Sequence, residues 1–239
     1  MDIKMTRLCT IGARGGSKGV KNKNIRDLLG KPLIAWTILQ AKASGLFAAI
    51  AVSSDSSLIL DAAKNYGADI LVERPAEMAT DEAPKMPAIQ HCVRTAEHVS
   101  GITFDIVVDL DATSPLREVE DIRAAVRLLE DRKVSNVITG APAHRSPYFN
   151  LVELDANGIA RLSKTLPFAV VRRQDAPKCY DMNASIYVYK REALFTDLSV
   201  FKYDTLLYEM PPERSVDIDS ELDFQIVEFL MTKQEKNHE

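Results

Sequence analysis

The sequence predicts an α/β fold, a mostly parallel sheet with helices on both of its faces. Two observations support this prediction. Over about the first 140 residues, short apolar runs of strand character alternate with longer segments of helical period, which is the pattern of repeated βα units. The chain is 239 residues long and 46% apolar, which is enough for one large core without disulfides or structural metals.

The predicted elements follow in order along the chain. Strands are predicted at 8–11, 47–52, 69–72, 104–110, 134–139 and 185–189, and helices at 32–44, 56–66, 87–99, 118–132 and 220–231. A proline in its first turn supports the first helix, and Gly67 ends the second. Ile122, Val126 and Leu129 give the fourth helix one apolar face.

The pattern changes after about residue 142. Two apolar segments, 148–154 and 159–162, flank Asp155-Ala-Asn-Gly158, which is typical of a β-hairpin turn. The stretch 142–180 is too polar and irregular to form a core of its own. We therefore predict one domain over residues 1–239, with an inserted segment at about 142–180 that serves as a lid, as a surface for a partner, or as both.

Composition argues against several classes of function. The 30 Lys and Arg residues and 34 Asp and Glu residues leave a net charge of −4, so we expect no nucleic-acid partner. The longest clean apolar run, 47–52, is six residues, far below the roughly 18 that span a bilayer. The N-terminus lacks a secretory signal, and the three dispersed cysteines form no C-x-x-C pair. These features predict a cytoplasmic protein with reduced cysteines and no membrane contact.

The loop after the first strand is the first candidate site. Residues 12–24 hold four glycines, no acid and four cations, namely Arg14, Lys18, Lys21 and Lys23. Glycines let backbone N–H groups converge on an anion, and the cations add positive charge. The loop matches neither the Walker A nor the G-x-G-x-x-G pattern. A flexible surface loop is the alternative, but its position after the first strand of an α/β sheet favours phosphate binding.

Two pairs of aspartates are candidate cation ligands. Asp217 and Asp219 precede the last helix, and carboxylates at i and i+2 in an extended segment can hold one Mg²⁺. Otherwise Asp219 or Ser220 caps that helix. Asp109 and Asp111 have the same spacing after the fourth strand, where a turn and a helix cap are the alternatives. The four histidines show no ligand spacing, and the sequence contains no G-x-S-x-G nucleophile pattern.

Seven motifs run in order from residue 8 to about 230. They are Ala13-Arg-Gly-Gly-Ser-Lys-Gly19 with Lys23-Asn24, Ser53-Ser-Asp55, Arg74-Pro-Ala-Glu77 with Thr80-Asp81, Thr113-Ser-Pro-Leu-Arg117, Arg173-Gln174, Asn183-Ala-Ser-Ile-Tyr187 and Asp217-Ile-Asp219. Together these segments resemble the CMP-sialic acid synthetase family, the cytidylyltransferases that activate nonulosonic acids. The resemblance implies a Rossmann-like nucleotide-diphosphosugar transferase fold, dependence on Mg²⁺, and a homodimer built through the 142–180 segment. It also implies that CTP and a free 2-keto sugar acid react to give a CMP-sugar and pyrophosphate.

The resemblance further implies roles for individual residues. The CTP-binding residues would be Ala13, Arg14, Gly15, Gly16, Ser17, Lys18, Lys23, Asn24, Arg74, Thr80 and Asp81. The sugar-binding residues would be Lys85, Asp111, Thr113, Arg173, Gln174 and Tyr187. Asp217 and Asp219 would bind Mg²⁺. Arg14, Lys23 and Asp217 would be catalytic, because positioned cations and Mg²⁺ stabilise the charge that grows on the reacting phosphates.

Two positions depart from the sialic acid enzymes. Asp111 stands where they typically have Gln, and Lys85 stands where they have a small hydroxyl residue. An ionised Asp only accepts hydrogen bonds, whereas Gln also donates them, so the polarity near the sugar changes. Together with the segments 147–153, 176–183 and 220–224, these departures make the chain most similar to the legionaminic acid branch of the family, which implies N,N'-diacetyllegionaminic acid as the substrate. N-acetylneuraminate and pseudaminate are the alternatives.

Two other classes of function stay open on the sequence alone. A nucleotide-sugar-dependent glycosyltransferase would use Asp109-Leu110-Asp111 as its metal site, but this leaves the basic loop at 12–24 unexplained. A non-catalytic nucleotide sensor would keep the fold without turnover. Release of pyrophosphate from CTP in the absence of an acceptor glycan would distinguish a cytidylyltransferase from both.

Overall fold

A computed structural model describes residues 5–238. The strands are β1 (Arg7–Gly12), β2 (Asp27–Leu28), β3 (Lys31–Pro32), β4 (Ala49–Ser54), β5 (Ile70–Glu73), β6 (Ile106–Leu110), β7 (Asn136–Pro142), β8 (Val152–Leu154), β9 (Ala160–Leu162), β10 (Tyr180–Lys190) and β11 (Leu206–Glu209). The helices are α1 (Leu33–Ser44), α2 (Ser57–Asn65), α3 (Lys85–Ser100), α4 (Val119–Arg132), α5 (Arg191–Leu194) and α6 (Glu221–His238). Short 3₁₀ turns lie at Lys23–Ile25, Ala76–Met78, Arg173–Asp175 and Pro212–Arg214.

Seven strands form the central sheet, in the order β11-β7-β10-β6-β1-β4-β5. Strand β10 is antiparallel to both of its neighbours, and the other strands run parallel. The chain leaves β1 toward β4 on one side, and it leaves β6 toward β7 on the other. Adjacent strands whose connections diverge leave a crevice at their carboxyl ends, which is where α/β sheets bind ligands.

Helices cover both faces of this sheet. One core cluster packs α1, α2 and α4 against it, with Ile38 and Leu129 fully buried. The other packs α3 and α5 against the opposite face, with Val93 and Leu194 fully buried. A third cluster joins α6 to the N-terminal loop through Val20, Leu28, Leu33, Leu116, Ile218, Phe224, Val227 and Met231. The predicted α/β architecture, with a mostly parallel sheet between two helical layers, is confirmed.

The predicted helices and strands are present, with ends that differ by a few residues in most cases. The differences are larger near the C-terminus, where β10 begins at Tyr180 and α6 continues to His238. The edge strand β11 and the four-residue α5 were not predicted, because short elements with partly exposed residues carry little periodicity. The expectation that a signal sequence is absent rests partly on residues 1–4, which lie outside the described residues.

The predicted hairpin in the 142–180 segment is confirmed. Strands β8 and β9 pair antiparallel, with Leu154 opposite Ala160. The turn closes through the Gly158 N–H, which donates to the Asp155 carbonyl oxygen, and Gly158 has φ = +77°, a conformation that favours glycine. All six residues of the two strands are exposed. Within residues 5–238, no helix is both long enough and apolar enough to cross a membrane.

Candidate active site

The largest concentration of predicted site residues lines one cavity of about 390 Å³. It lies at the carboxyl ends of β1 and β6, between the basic loop, the 76–84 connection, the start of α3 and the segment before α6. This is the crevice that the sheet order predicts. Ala13, Arg14, Ser17, Lys18, Lys23, Asn24, Arg74, Thr80, Asp81, Lys85, Asp111, Thr113, Asp217 and Asp219 all line it.

A close backbone approach joins the basic loop to the aspartate pair. A side chain at Gly19 would overlap the Asp219 carbonyl oxygen, so this position requires glycine. The Lys23 ammonium hydrogen-bonds the Ile218 carbonyl oxygen and lies 3.5 Å from the Asp219 carboxylate. Val20 and Ile218 are buried in the same cluster. The two segments, about 200 residues apart in the chain, therefore form one wall of the cavity.

Two other loop cations meet Asp81. The Arg14 guanidinium lies 2.7 Å from Asp81 Oδ1 and donates to the Thr80 carbonyl oxygen at 3.2 Å. The Lys18 ammonium contacts Asp81 Oδ2. The hydrogen bond from Lys18 holds the pKa of Asp81 below its usual value. At this part of the cavity, which we call the mouth, one acidic side chain therefore pairs with two cations.

A second group of acids, Asp111 and Asp217, lies in the part of the cavity that we call the floor. The Thr113 hydroxyl lies 2.8 Å from Asp111 Oδ1 and also contacts Asp217 Oδ1. A hydroxyl has one proton, so it cannot donate to both carboxylates at once. Burial, and then the charge of Asp111, raise the pKa of Asp217. The floor is therefore a place where a further cation is favourable.

Lys85 provides one cation at this floor. Its ammonium lies 3.0 Å from Asp109 Oδ2, 3.2 Å from Asp111 Oδ2 and 4.5 Å from the centre of the Tyr187 ring. Burial opposes the ionisation of Asp111, but Lys85 and the Thr113 N–H and hydroxyl outweigh it and lower the pKa to about 2. Asp111 is therefore an ionised acceptor at neutral pH.

A third part of the cavity combines amide, guanidinium and apolar groups. Asn24 is buried, its Nδ2 donates to the Arg14 carbonyl oxygen at 3.0 Å, and its Oδ1 has no hydrogen-bond partner within residues 5–238. Arg74 donates to the Ser53 hydroxyl and carbonyl oxygens, and burial lowers its pKa. Apolar lining comes from Ile11, Met78, Ala83, Pro84, Ala88, Ile89 and Cys92. An amide acceptor beside apolar walls suits a polar, planar ring.

Some predicted site residues lie elsewhere. Gly15 and Gly16 belong to the basic loop but not to the cavity wall, and the Gly15 N–H donates to Asp55 Oδ1 at 2.8 Å. Arg173 and Gln174 line a second cavity of about 500 Å³ within the 142–180 segment. Tyr187 is 4% exposed and is not part of the lining of the first cavity, but its ring lies beside Lys85, which is.

Sequence reasoning missed two groups at the site. Asp109 was predicted as one of a pair of candidate cation ligands but received no role at the site, yet it lines the cavity and is 2% exposed. An acid inside an otherwise apolar strand was the available signal. Arg117 belongs to a matched motif but received no role. Its guanidinium is buried and holds the Ser185 carbonyl oxygen at 2.6 Å, the Thr37 hydroxyl at 2.5 Å and the Asp111 carbonyl oxygen.

Asp217 and Asp219 are the acids that could hold a metal ion. Among residues 5–238, no cluster of three or more His, Cys, Asp or Glu side chains is arranged for a metal. Two carboxylates fit Mg²⁺ nonetheless, since this ion commonly takes one or two carboxylates and completes its shell with water and phosphate oxygens.

Comparison with known proteins adds sequence and fold relatives. Residues 8–236 match the sequence model of a protein family described as cytidylyltransferase. The chain is 48% identical, over 225 residues and 94% of each chain, to the CMP-N,N'-diacetyllegionaminic acid synthase of Campylobacter jejuni subsp. jejuni serotype O:2. It is 46% identical, over 230 residues and 96% of each chain, to post-translational flagellin modification protein B of Campylobacter coli. The structure of CMP:2-keto-3-deoxy-manno-octonic acid synthetase complexed with CTP has the same fold, with a TM-score of 0.70 at 17% identity over 96% of this chain and 99% of that one.

Proposed function

Because the chain belongs to the cytidylyltransferase family, we propose that it transfers CMP from CTP to the anomeric hydroxyl of N,N'-diacetyllegionaminic acid and releases pyrophosphate. The observation that carries the proposal is one cavity in which the basic loop faces Asp217 and Asp219. Cations suited to a triphosphate and carboxylates suited to a hard metal ion thus share one site.

The basic loop would hold the triphosphate. In the reaction, the sugar hydroxyl attacks the α-phosphorus, a new P–O bond forms, and the bond to the leaving pyrophosphate breaks, so negative charge grows on phosphate oxygens. Arg14, Lys18 and Lys23 line the cavity and supply positive charge for this stage. The triphosphate would displace Asp81 from Arg14 and Lys18, exchanging one anion for another.

Asp217 and Asp219 would hold Mg²⁺. Their fit rests on hard oxygen donors and on the raised pKa of Asp217, which marks a carboxylate that a cation would stabilise. When bound, Mg²⁺ supplies positive charge beside the phosphate oxygens. The chain itself orients the pair, because Thr113 contacts the Asp217 carboxylate and Lys23 lies beside Asp219.

The floor would bind the sugar acid and discriminate between substrates. Asp111 presents an ionised carboxylate, which only accepts hydrogen bonds and so suits a hydroxyl or amide N–H of the substrate. We expect kcat/KM to favour a 5,7-diacylamino sugar acid over N-acetylneuraminic acid, and Asp111→Gln to narrow this preference. A wild type that prefers N-acetylneuraminic acid would contradict the choice of sugar and leave the cytidylyltransferase proposal standing.

We also propose a cytoplasmic homodimer that forms through the 142–180 segment of an otherwise single domain. Leu151, Leu154, Phe168 and Val171 of this segment are between 45% and 78% exposed, and a second copy would cover them. Arg173 and Gln174 at the second cavity would then lie near the sugar site of the other copy. The three free cysteines accord with a reducing compartment. Light scattering that shows a monomer at micromolar concentration would contradict the dimer.

Pyrophosphate release tests the reaction itself. The assay combines the protein, CTP and Mg²⁺ with a panel of nonulosonic acids, and no acceptor glycan. We expect pyrophosphate and a CMP-sugar in equal amounts, with the 5,7-diacylamino acid as the best substrate. CTP that stays intact with every sugar acid would refute the proposal and favour a nucleotide sensor.

A further inference from the structure

The Asp109-Leu110-Asp111 motif lies at the cavity, but the proposed reaction places no metal ion there. Asp109 is the penultimate residue of the buried strand β6, and Asp111 follows that strand. Residues at i and i+2 of an extended segment point to the same side. Such a pair is a candidate divalent-cation site, yet the ammonium of Lys85 lies between the two carboxylates, 3.0 Å from Asp109 Oδ2 and 3.2 Å from Asp111 Oδ2.

Asp109 depends on this lysine as its charged partner. Its side chain is 2% exposed, and its Oδ1 accepts a hydrogen bond from the Thr10 hydroxyl at 2.9 Å. Among residues 5–234, whose side chains the structure describes, no other N–H or hydroxyl hydrogen-bonds Asp109 Oδ2, and Lys85 is the cation beside it. A buried carboxylate without a partner is strongly unfavourable. The ion pair with Lys85 therefore removes a large energetic penalty.

Lys85 is held from several sides at once. It is the first residue of α3, and its ammonium lies 4.5 Å from the centre of the Tyr187 ring, a cation–π distance. Tyr187 is in turn fixed in β10, directly opposite Asp109 in the sheet register. Although burial opposes its charge, the two aspartates raise the pKa of Lys85. The ammonium is a permanent, positioned charge.

We propose that the Lys85 ammonium is the built-in cation of the Asp109–Asp111 pair and occupies the place that a divalent ion would otherwise take there. Lys85 is thus a positioning residue, and the motif does not bind metal in this protein. The inference rests on the geometry of the pair and is independent of which sugar acid is the substrate. If Asp217 and Asp219 bind Mg²⁺, they form the one divalent site of the cavity.

Lys85, Asp109 and Asp111 together carry a net charge of −1, because one ammonium faces two carboxylates. Lys85 is therefore not free to bind the carboxylate of a sugar acid. Asp111 keeps Oδ1 toward the Thr113 N–H and hydroxyl, at 3.1 and 2.8 Å, and Oδ2 toward Lys85. This corner of the cavity therefore favours hydrogen-bond donors and disfavours anions.

Removing the ammonium should convert the pair into a metal site. Lys85→Met keeps the length of the side chain without its charge, and leaves two carboxylates facing a gap that suits a hard cation. We expect Lys85→Met to bind one more Mn²⁺ per chain than the wild type, measured by the loss of the free Mn²⁺ signal in electron paramagnetic resonance, with Mn²⁺ alone and no nucleotide. Lys85→Arg keeps a cation and should gain no site. Lys85→Met with Asp109→Asn should lose the added site.

Thermal unfolding provides a second readout. Mn²⁺ at about 100 times its Kd multiplies the ratio of folded to unfolded protein by about 100, so added Mn²⁺ should raise the Tm of Lys85→Met by more than that of the wild type. An equal number of Mn²⁺ sites in Lys85→Met and wild type would overturn the proposal. The wild type offers an independent test in case Lys85→Met does not fold. A wild-type Mn²⁺ site that disappears on Asp109→Asn would also overturn it, and unchanged Mn²⁺ binding would support it.

Discussion

The cations at the mouth of the cavity pair with an exposed carboxylate, whereas the cation at the floor pairs with a buried one. At the mouth, Arg14 and Lys18 pair with Asp81, and these side chains keep 35%, 80% and 31% of their exposure. At the floor, Lys85 keeps 38% and its partner Asp109 keeps 2%. Water and salt screen both partners of the first pairs, whereas the carboxylate of Asp109 lies in a less polarisable environment where an unpaired charge is costly.

The ion pairs at the mouth can be exchanged for a ligand, whereas the ion pair at the floor is permanent. An exposed ion pair contributes little to stability, so a triphosphate can replace Asp81 at small cost. Asp109 has no such freedom, because its release would leave a buried carboxylate alone. The mouth is therefore arranged to bind and release anions, and the floor to present a constant pattern of hydrogen-bond acceptors.

Asp217 belongs to the floor, where the Thr113 hydroxyl contacts it, and its replacement should have the largest effect. Asp217→Asn removes one charge from the proposed Mg²⁺ site, and we expect turnover to fall by about a thousandfold with little change in Tm. Asp223→Asn is the matched control, because Asp223 accepts hydrogen bonds from Ser220 and Asp219 at the start of α6 and does not line the cavity. It should lower Tm slightly and leave turnover near that of the wild type. Near-normal turnover in Asp217→Asn would mean that this carboxylate serves only structure.

The cations of the mouth should matter most in the transition state. Arg14→Ala should reduce turnover about a hundredfold and weaken CTP binding less, because charge on the phosphates grows during the reaction. Lys21→Ala in the same loop is the control, since Lys21 is exposed and lies outside the cavity wall. Binding by calorimetry and turnover by pyrophosphate release separate the two effects. Equal losses in both would indicate ground-state binding alone.

Asp81 should act as a competitor of the phosphates. Asp81→Asn frees Arg14 and Lys18, so we expect inorganic triphosphate to bind about fivefold more tightly. The gain should shrink in 1 M salt, where charges are screened within about 3 Å. Glu82→Gln, one residue away and exposed, should change little. Weaker binding of inorganic triphosphate by Asp81→Asn would show that Asp81 supports the phosphate site.

The ionisation of Asp111 at the floor should make a small contribution to the unfolding free energy that is lost in acid. The pKa of Asp111 is about 2 in the folded protein and about 3.9 in an unfolded chain, so ionised Asp111 stabilises the fold above pH 4. This contribution is lost as the pH falls from about 4 to about 2. The difference in unfolding free energy between wild type and Asp111→Asn should therefore be constant above about pH 5 and shrink below pH 4. A difference that grows in acid would show that Lys85 does not hold Asp111 ionised.

Local patterns in the sequence were sufficient for much of the protein. The apolar periodicities predicted the central strands and the longer helices, and Asp155 to Gly158 predicted the hairpin turn. The basic loop and the Asp217–Asp219 pair were predicted as candidates from composition and spacing over a few residues, and both line one cavity. Such features are local, because strand and helix periodicity and turn chemistry depend on neighbours in the chain.

Tertiary structure alone decided how these parts meet. The sequence named Thr113 and Asp217 but not their contact across 104 residues. It did not reveal that Asp109 anchors Lys85, or that Arg173 and Gln174 line a different cavity from the other sugar-site candidates. These relations depend on the order of strands in the sheet and on helix packing, which bring distant residues together. Local propensity carries no information about such distances, so the partners of each charge were set only when the chain folded.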